Sequence, residues 1–346
     1  MISVIFPAHN EKLWINRTIQ NLFDTCSSAP EVIVIDQGGN GEIDSRAVVI
    51  TPGANVGERV AMNIAAENAT HDHLFRIDAH CDFSPVGWDE MMVSVTGPKT
   101  ITVAVLTAVN KDWERLKGHW YGLAKIIVNE DENGVRGLEC KWQKANKDHT
   151  TYKPVEPNMG LTGCGFMIRK DFYEEIGGAD TTLPAMGAIG EEFAIKAWVH
   201  GGKVQTRTDV MVGHIFGTGG YNTGGVKVAQ QMLYEKYGEH YPAIMAKFPE
   251  WANLKLVRTD QPGKPVRTVT VERVDTIETH DNATHNILRK KEATFRYIWI
   301  ETEHLDEAGW TEDQIREKYE SNGVEVKTVV TYYKENGEEI PVPMTT

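Results

Sequence analysis

The alternation in the first 83 residues constrains this chain most: short apolar runs separated by amphipathic stretches. "ISVIFPAHNE" (2–11) predicts a buried strand over Ile2–Phe6, stopped by Pro7. From Lys12 to Phe23, the apolar residues Leu13, Ile15, Ile19, Leu22 and Phe23 recur at helical spacing. "EVIVIDQGG" (31–39) predicts a second buried strand that ends in Asp36 and a glycine turn, and "AVVITPG" a third. "GERVAMNIAAENA" is an alanine-rich helix, with Ala61, Ile64, Ala65 and Asn68 on one side. "HLFRIDAHCD" is the next strand. Strand, helix, strand, strand, helix, strand indicates an α/β class, with a mostly parallel sheet flanked by helices. Ligands of such sheets sit beyond the carboxyl ends of the strands. Asp36 and Asp78 both fall at ends of that kind.

Further on, "TITVAVLTAV" (100–109) reads as a strand, and the chain is less regular to Pro157. "GLTGCGFMIRKDFYEEIGG" reads as a strand with a short helix. "GEEFAIKAWVHGG" reads as a helix stopped by Gly201 and Gly202. After Pro262 the composition shifts, and three alternating segments surround a helix capped by Thr311. These features divide the chain into a 1–260 α/β domain and a 261–346 small α+β accessory module, whose expected role is packing or self-association into a homo-oligomer. The 346 residues suffice for a full core. A formal net charge of -13 speaks against a surface coated for indiscriminate nucleic-acid binding. Cys26, Cys81, Cys140 and Cys164 are scattered, the pattern of reduced thiols. With no leader pattern and no apolar run of membrane-spanning length, the expectation is a cytoplasmic protein without membrane attachment.

"RIDAHCDF" (76–83) bears the chemistry. On an extended chain, Asp78 and His80 point the same way, because the strand period is two. A carboxylate and an imidazole aimed at one point suit a divalent ion such as Mn²⁺. An aspartate capping a turn beside a hydrogen-bonded histidine is the structural alternative. "MVGHIFG" ends another apolar run in His214, which supplies a third donor. Two imidazoles and a carboxylate would leave positions open for a phosphate ligand.

"ISVIFPAHNE", "EVIVIDQGG" and "GANVGERVAMNIAAENATHDHLFRIDA" resemble family-2 nucleotide-sugar glycosyltransferases of the GT-A (Rossmann-like) fold. "RIDAHCDF", "GLTGCGFMIRKDFYEEIGGAD", "GEEFAIKAWVHGGKV" and "VGHIF" resemble the polypeptide N-acetylgalactosaminyltransferases. The likeness covers roughly residues 1 to 220 and implies a metal-dependent transfer from a UDP-sugar to a hydroxyl acceptor. It makes Asp78, His80 and His214 the ligands of Mn²⁺ or Mg²⁺ through a D-x-H motif and a later histidine. The loop of Pro7, Ala8, His9, Asn10 and Glu11 would wrap the nucleoside, and Asp36 would accept the uracil N–H. Gln37 stands where the family has a second acid. Arg59 and Asn63, one helical turn apart, would face the donor, with Arg59 reaching the diphosphate or bracing Asp78. Glu192 takes the place of the catalytic aspartate of inverting family-2 enzymes, and Glu191 would contact sugar or acceptor. The retaining relatives carry asparagine at that place, so stereochemistry stays open.

"FGTGGYNTGG" (216–225) has the glycines of a lid. Trp113, Trp120, Tyr121 and Trp142, interleaved with Lys141, Lys144, Lys147 and Lys153, suit a sugar ring or a nucleic acid. The acceptor expected is therefore a glycan, a protein, or a hydroxymethylated DNA base of the kind phages glycosylate. A non-catalytic sugar-binding protein and a nucleotidyltransferase are the rival classes. The nucleotidyltransferase would want a lysine- and glycine-rich loop where this chain has "PAHNE".

Overall fold

The computed structural model describes residues 1–130, 133–144, 153–216 and 223–249, and the backbone of four strands between 266 and 341. Side chains 117–120, 143–144 and 223–224 are not included, so Trp120, Lys144 and Lys147 lie outside the described side chains. Residues 217–222 of the glycine-rich stretch and the helix expected after Thr311 also lie outside the described residues. Packing divides the chain into two compact units, Met1–Asn253 and Leu254–Thr346.

In the first unit the strands are β1 Ser3–Ala8, β2 Glu31–Asp36, β3 Val48–Ile50, β4 His73–Arg76, β5 Cys81–Ser84 and β6 Thr100–Val109. They continue as β7 Arg115–Glu130, β8 Arg136–Lys144, β9 Val155–Asn158, β10 Phe166–Arg169 and β11 Lys203–His214. The helices are α1 Ile15–Thr25, α2 Glu58–Asn68, α3 Trp88–Val93, α4 Lys170–Glu175, α5 Ile189–Val199, α6 Thr223–Tyr237 and α7 Tyr241–Met245. The sheet runs β3-β2-β1-β4-β10-β6-β11-β5, with β7 and β9 pairing on β6 and β11, and β8 on β7. Strands β3, β2, β1 and β4 form a parallel half, as the alternation predicts. Beyond β4 the sheet is mixed, because β10 enters antiparallel on both sides. Two reversals restore direction, so β6 and β11 run parallel to each other and to the first half. The carboxyl ends of β1, β2, β4 and β11 therefore share one sheet edge, which is where chemistry collects in α/β proteins.

The period of two on β1 sorts its side chains between two cores. Val4, Phe6 and Ala8 face one with Ile15, Ile19 and Leu22 of α1, while Ile5 faces the other with Ala61, Met62 and Ala65 of α2. The strand continues through Pro7 to Ala8 because pairing with β4 already ends at Ile5↔Arg76, whereas pairing with β2 runs on to Ala8↔Asp36. Helix α1 begins at Ile15 instead of Lys12, since Asn10 takes a left-handed φ of 61° and the Glu11 carbonyl accepts from Trp14 and Ile15. The region expected to be irregular before Pro157 holds the long β7–β8 hairpin. The second unit contains a four-stranded antiparallel sheet, β13 Arg296–Thr302, β12 Val266–Arg273, β14 Glu325–Glu335 and β15 Glu338–Pro341, in that order.

Candidate active site

The expected strand "HLFRIDAHCD" is in fact broken at its most informative point. Strand β4 stops at Arg76, beside β1, and β5 starts at Cys81, paired with β11. Asp78, Ala79 and His80 form the crossing between them. The two side chains thus converge through a bend instead of the extended period that the sequence suggests. Thr18 of α1 pins this bend: its hydroxyl donates to the Ala79 carbonyl at 2.9 Å and accepts from the Cys81 N–H at 3.0 Å. His214 closes β11 directly opposite Cys81 in the antiparallel register.

These elements bring Asp78, His80 and His214 together, with one donor atom of each within 4.8 Å of the others. His214 Nε2 lies 2.9 Å from Asp78 Oδ2 and 3.1 Å from His80 Nε2. Nε2 of His214 cannot serve both neighbours with a single proton, so the three groups share one point with too few protons between them. A carboxylate with two imidazoles fits a divalent transition ion such as Mn²⁺. Glu11, in the loop expected at the nucleoside, lies 3.1 Å from His80 Nδ1 through Oε2 and orients that ring.

Burial works against a charge on Asp78, yet Arg76 beside it and the hydrogen bond from His214 outweigh this and hold its pKa well below the carboxylate range. Burial likewise opposes a charged His80, but its bond to Glu11 and the nearby Asp78 raise its pKa. For His214 burial prevails over Asp78 and lowers it. One ring is thereby biased to carry a proton and the other to offer a lone pair. Arg76, which sequence reasoning missed, reaches Asp78 Oδ1 at 2.8 Å and also bonds Glu58 and the Gly163 carbonyl. Its signal was present: Arg76, Asp78 and His80 recur every second residue.

The residues expected to line a donor pocket are tied together by side-chain hydrogen bonds. Asp36 ends β2 and uses Oδ1 for the Gly38 N–H at 2.9 Å and the Asn40 amide at 2.5 Å. Asn40, buried and unnoticed in the sequence, also holds the Ala8 carbonyl and the Glu11 N–H, which fixes the loop after β1. Gln37 accepts from the Val56 and Gly57 N–H groups at 2.9 Å each and ties the "GANVG" loop to β2. Gly57 has φ 83°, and a Cβ there would lie 2.7 Å from that of Ala185.

Three expected contacts are corrected. Arg59 is 1% exposed and does not face a donor or Asp78. Its Nε binds Glu192 Oε2 at 2.8 Å, and its other nitrogens bind the Pro184 and Gly187 carbonyls. Glu192 is fully buried, with Oε1 taken by the Asp180 N–H at 2.6 Å and Lys196 Nζ at 3.3 Å, so both oxygens are committed and it cannot reach an acceptor. Asn63 bonds Ala179 and the Tyr173 hydroxyl, and so fastens the turn after α4. Glu191 stays half-buried and accepts from the Cys140 N–H and the Gln230 amide at 3.2 Å each; burial raises its pKa. Trp113 is packed with Val109 and Ile215 under the Arg17 guanidinium, a core residue and not a platform. Trp142 and Phe216 remain exposed and surround Tyr121, and the Phe216 ring lies 4.5 Å from that of His214.

An α/β sheet with a buttressed loop after β1, an acid ending β2 and a carboxylate–imidazole cluster at the same sheet edge has the GT-A architecture. The chain belongs to glycosyl transferase family 2, whose model matches residues 3–177. Similar curated proteins include polypeptide N-acetylgalactosaminyltransferase 15 of Homo sapiens, 26% identical over 236 residues, which is 62% of this chain and 35% of that protein. Polypeptide N-acetylgalactosaminyltransferase 3 of Drosophila melanogaster is 24% identical over 238 residues. The chain spans about a third of the length of these relatives. A crystal structure of GalNAc-T7 with UDP, GalNAc and Mn²⁺ shares the fold at a TM-score of 0.52 and 22% identity, covering 62% of this chain and 44% of that one. No helix among the described residues is long and apolar enough to cross a membrane.

Proposed function

We propose that the protein transfers a sugar from a UDP-sugar to a hydroxyl acceptor, with Asp78, His80 and His214 holding Mn²⁺ or Mg²⁺. The convergence of these three donors within 4.8 Å carries the reading. The relatives named above support the donor and ion by analogy. A bound cation would offset charge building on the departing diphosphate in this acidic protein. The chain's own groups do the rest. Arg76 keeps Asp78 ionised and aimed, and Glu11 sets the His80 ring. The loop 7–11, braced by Asn40, shapes a nucleoside pocket in which Asp36 keeps Oδ2 for the uracil N–H. With Glu192 locked by Arg59, Glu191 is the carboxylate left to contact sugar or acceptor. Tyr121, Trp142 and Phe216 offer ring faces beside His214. Lys141 is already paired with Glu139 at 2.5 Å, which favours a glycan or protein hydroxyl over DNA.

Release of UDP from a panel of UDP-sugars, with and without Mn²⁺, tests this. Turnover is expected only with the ion, and Asp78→Ala or His214→Ala is expected to lower it at least a hundredfold with an unchanged far-UV spectrum. Full activity in either variant removes the cation from the mechanism. Pyrophosphate release, or binding without turnover, favours the nucleotidyl or sugar-binding alternative.

A further inference from the structure

Behind the Asp78 group lies a pair of thiols that the proposed reaction does not use. Cys81 Sγ and Cys164 Sγ are 3.5 Å apart, and both residues are buried. Cys81 faces His214 across the β5–β11 register, so the side chains lie on one face of the sheet. One donor atom each from Cys81, Cys164 and His214 falls within 4.8 Å of the others. His214 Nε2 is engaged by Asp78 and His80, but its Nδ1 is buried and has no hydrogen-bond partner among the described residues. A buried imidazole nitrogen left without a partner needs an explanation.

We propose that Cys81, Cys164 and His214 form a second cation site, for one thiophilic divalent ion of the zinc class. Two thiolates bound tetrahedrally at about 2.3 Å sit about 3.8 Å apart, close to the separation found here. Two sulfurs and one nitrogen are the soft donor set that zinc prefers and that Mn²⁺ and Mg²⁺ do not. The walls are fixed in advance. Thr18 holds the Cys81 N–H, and Arg76 bonds the carbonyl of Gly163 through its side chain and the N–H of Gly165 through its own carbonyl. On binding, each thiol gives its proton to solvent as its sulfur–metal bond forms; nothing is oxidised or reduced. Because a neutral imidazole offers a single lone pair, an ion bound at His214 Nδ1 leaves Nε2 protonated, able to donate to Asp78 but not to hold Mn²⁺. Zinc therefore antagonises the Mn²⁺-dependent reaction. That consequence rests on the function proposed above, whereas the site itself does not.

Cadmium is the probe. Titration of the reduced full-length chain is expected to raise the ultraviolet thiolate-to-cadmium charge-transfer band and saturate at one equivalent. Cys164→Ala, with unchanged far-UV circular dichroism, is expected to lose the band, and Cys81→Ala serves equally if the first variant does not fold. Absence of the band in the wild type overturns the proposal, as does its survival in a folded variant. In the UDP-release assay with Mn²⁺, equimolar Zn²⁺ is expected to slow the wild type at least tenfold and Cys164→Ala less than twofold. A cadmium band without zinc inhibition leaves the two thiols as ligands and overturns the sharing of His214 between the sites. Failure of all Mn²⁺-dependent turnover sinks the transferase reading without touching the band.

Discussion

Glu192 shows how residue type and position can agree with a catalytic role while the surroundings assign another. Its carboxylate is fully buried between Arg59 and Lys196, themselves 1% and 4% exposed. Removing one partner of such a cluster leaves buried charge uncompensated and costs about 3–5 kcal/mol. Glu192→Gln keeps part of the hydrogen bonding, so a loss of about 3 kcal/mol is expected by urea denaturation with an unchanged m-value. UDP-sugar turnover per folded molecule is expected to stay within a few-fold of wild type. A hundredfold drop in turnover at unchanged stability would restore Glu192 as the base. Nothing in the sequence signals this pairing, because Arg59 and Glu192 stand 133 residues apart and each looks like a helix-surface charge. Asp78, His80 and His214 were legible for the opposite reason. Each ends an apolar run, and a polar donor at a strand end advertises itself. Arg76 was passed over because it sits inside the run and reads as an interruption.

Between elements, the turn after α4 is held by Asp180. Its Oδ2 receives Lys236 Nζ of α6 at 2.5 Å, its Oδ1 receives the Thr182 N–H and hydroxyl, and its own N–H reaches Glu192. Burial would raise its pKa, but these bonds outweigh that and lower it from the ordinary 3.8 to about 2. A depressed folded-state value gives stability that is fully present above 3.8 and is lost as pH falls through about 2. Lys236 is 37% exposed, so solvent screening reduces the contribution to about 1 kcal/mol. Asp180→Asn is expected to be less stable by that amount above pH 4, with the gap closing near pH 2; a gap that persists there contradicts the assignment. Helices α4 and α5 were legible from their spacing, whereas α6, which opens on Gly224 and Gly225, was not. The β7–β8 hairpin was not, since Ala124, Lys125 and Ile126 are all buried in succession and give no period of two. The break between β4 and β5 was hidden for a related reason: Ile77, Ala79 and Cys81 are buried through the bend and mimic one continuous strand.

At the scale of the molecule, among the described residues, both large cores of the first unit draw on its strands and helices. One ends with Phe248, which packs edge-on to Trp198 at 5.4 Å, and the other ends with Val212. The Asp78–His80–His214 cluster, the loop after β1 and the Glu191 neighbourhood all lie before residue 249. The segment from 261 onward, read from its alternation as an accessory module for packing or self-association, is expected to be dispensable for the chemistry. A chain ending at Asn253 is expected to fold, to melt cooperatively, and to release UDP from the preferred donor within about twofold of the full chain, because it keeps every core residue among the described ones. The cut must follow Phe248, and a chain ending at Lys247 is expected to lose stability by a few kcal/mol, the cost of an unfilled aromatic site. Sedimentation equilibrium on both chains separates the two roles of the module. A dimer for the full chain and a monomer for the shorter one assigns the second sheet to self-association. Equal masses with lost transfer but intact donor hydrolysis assign it to the acceptor instead.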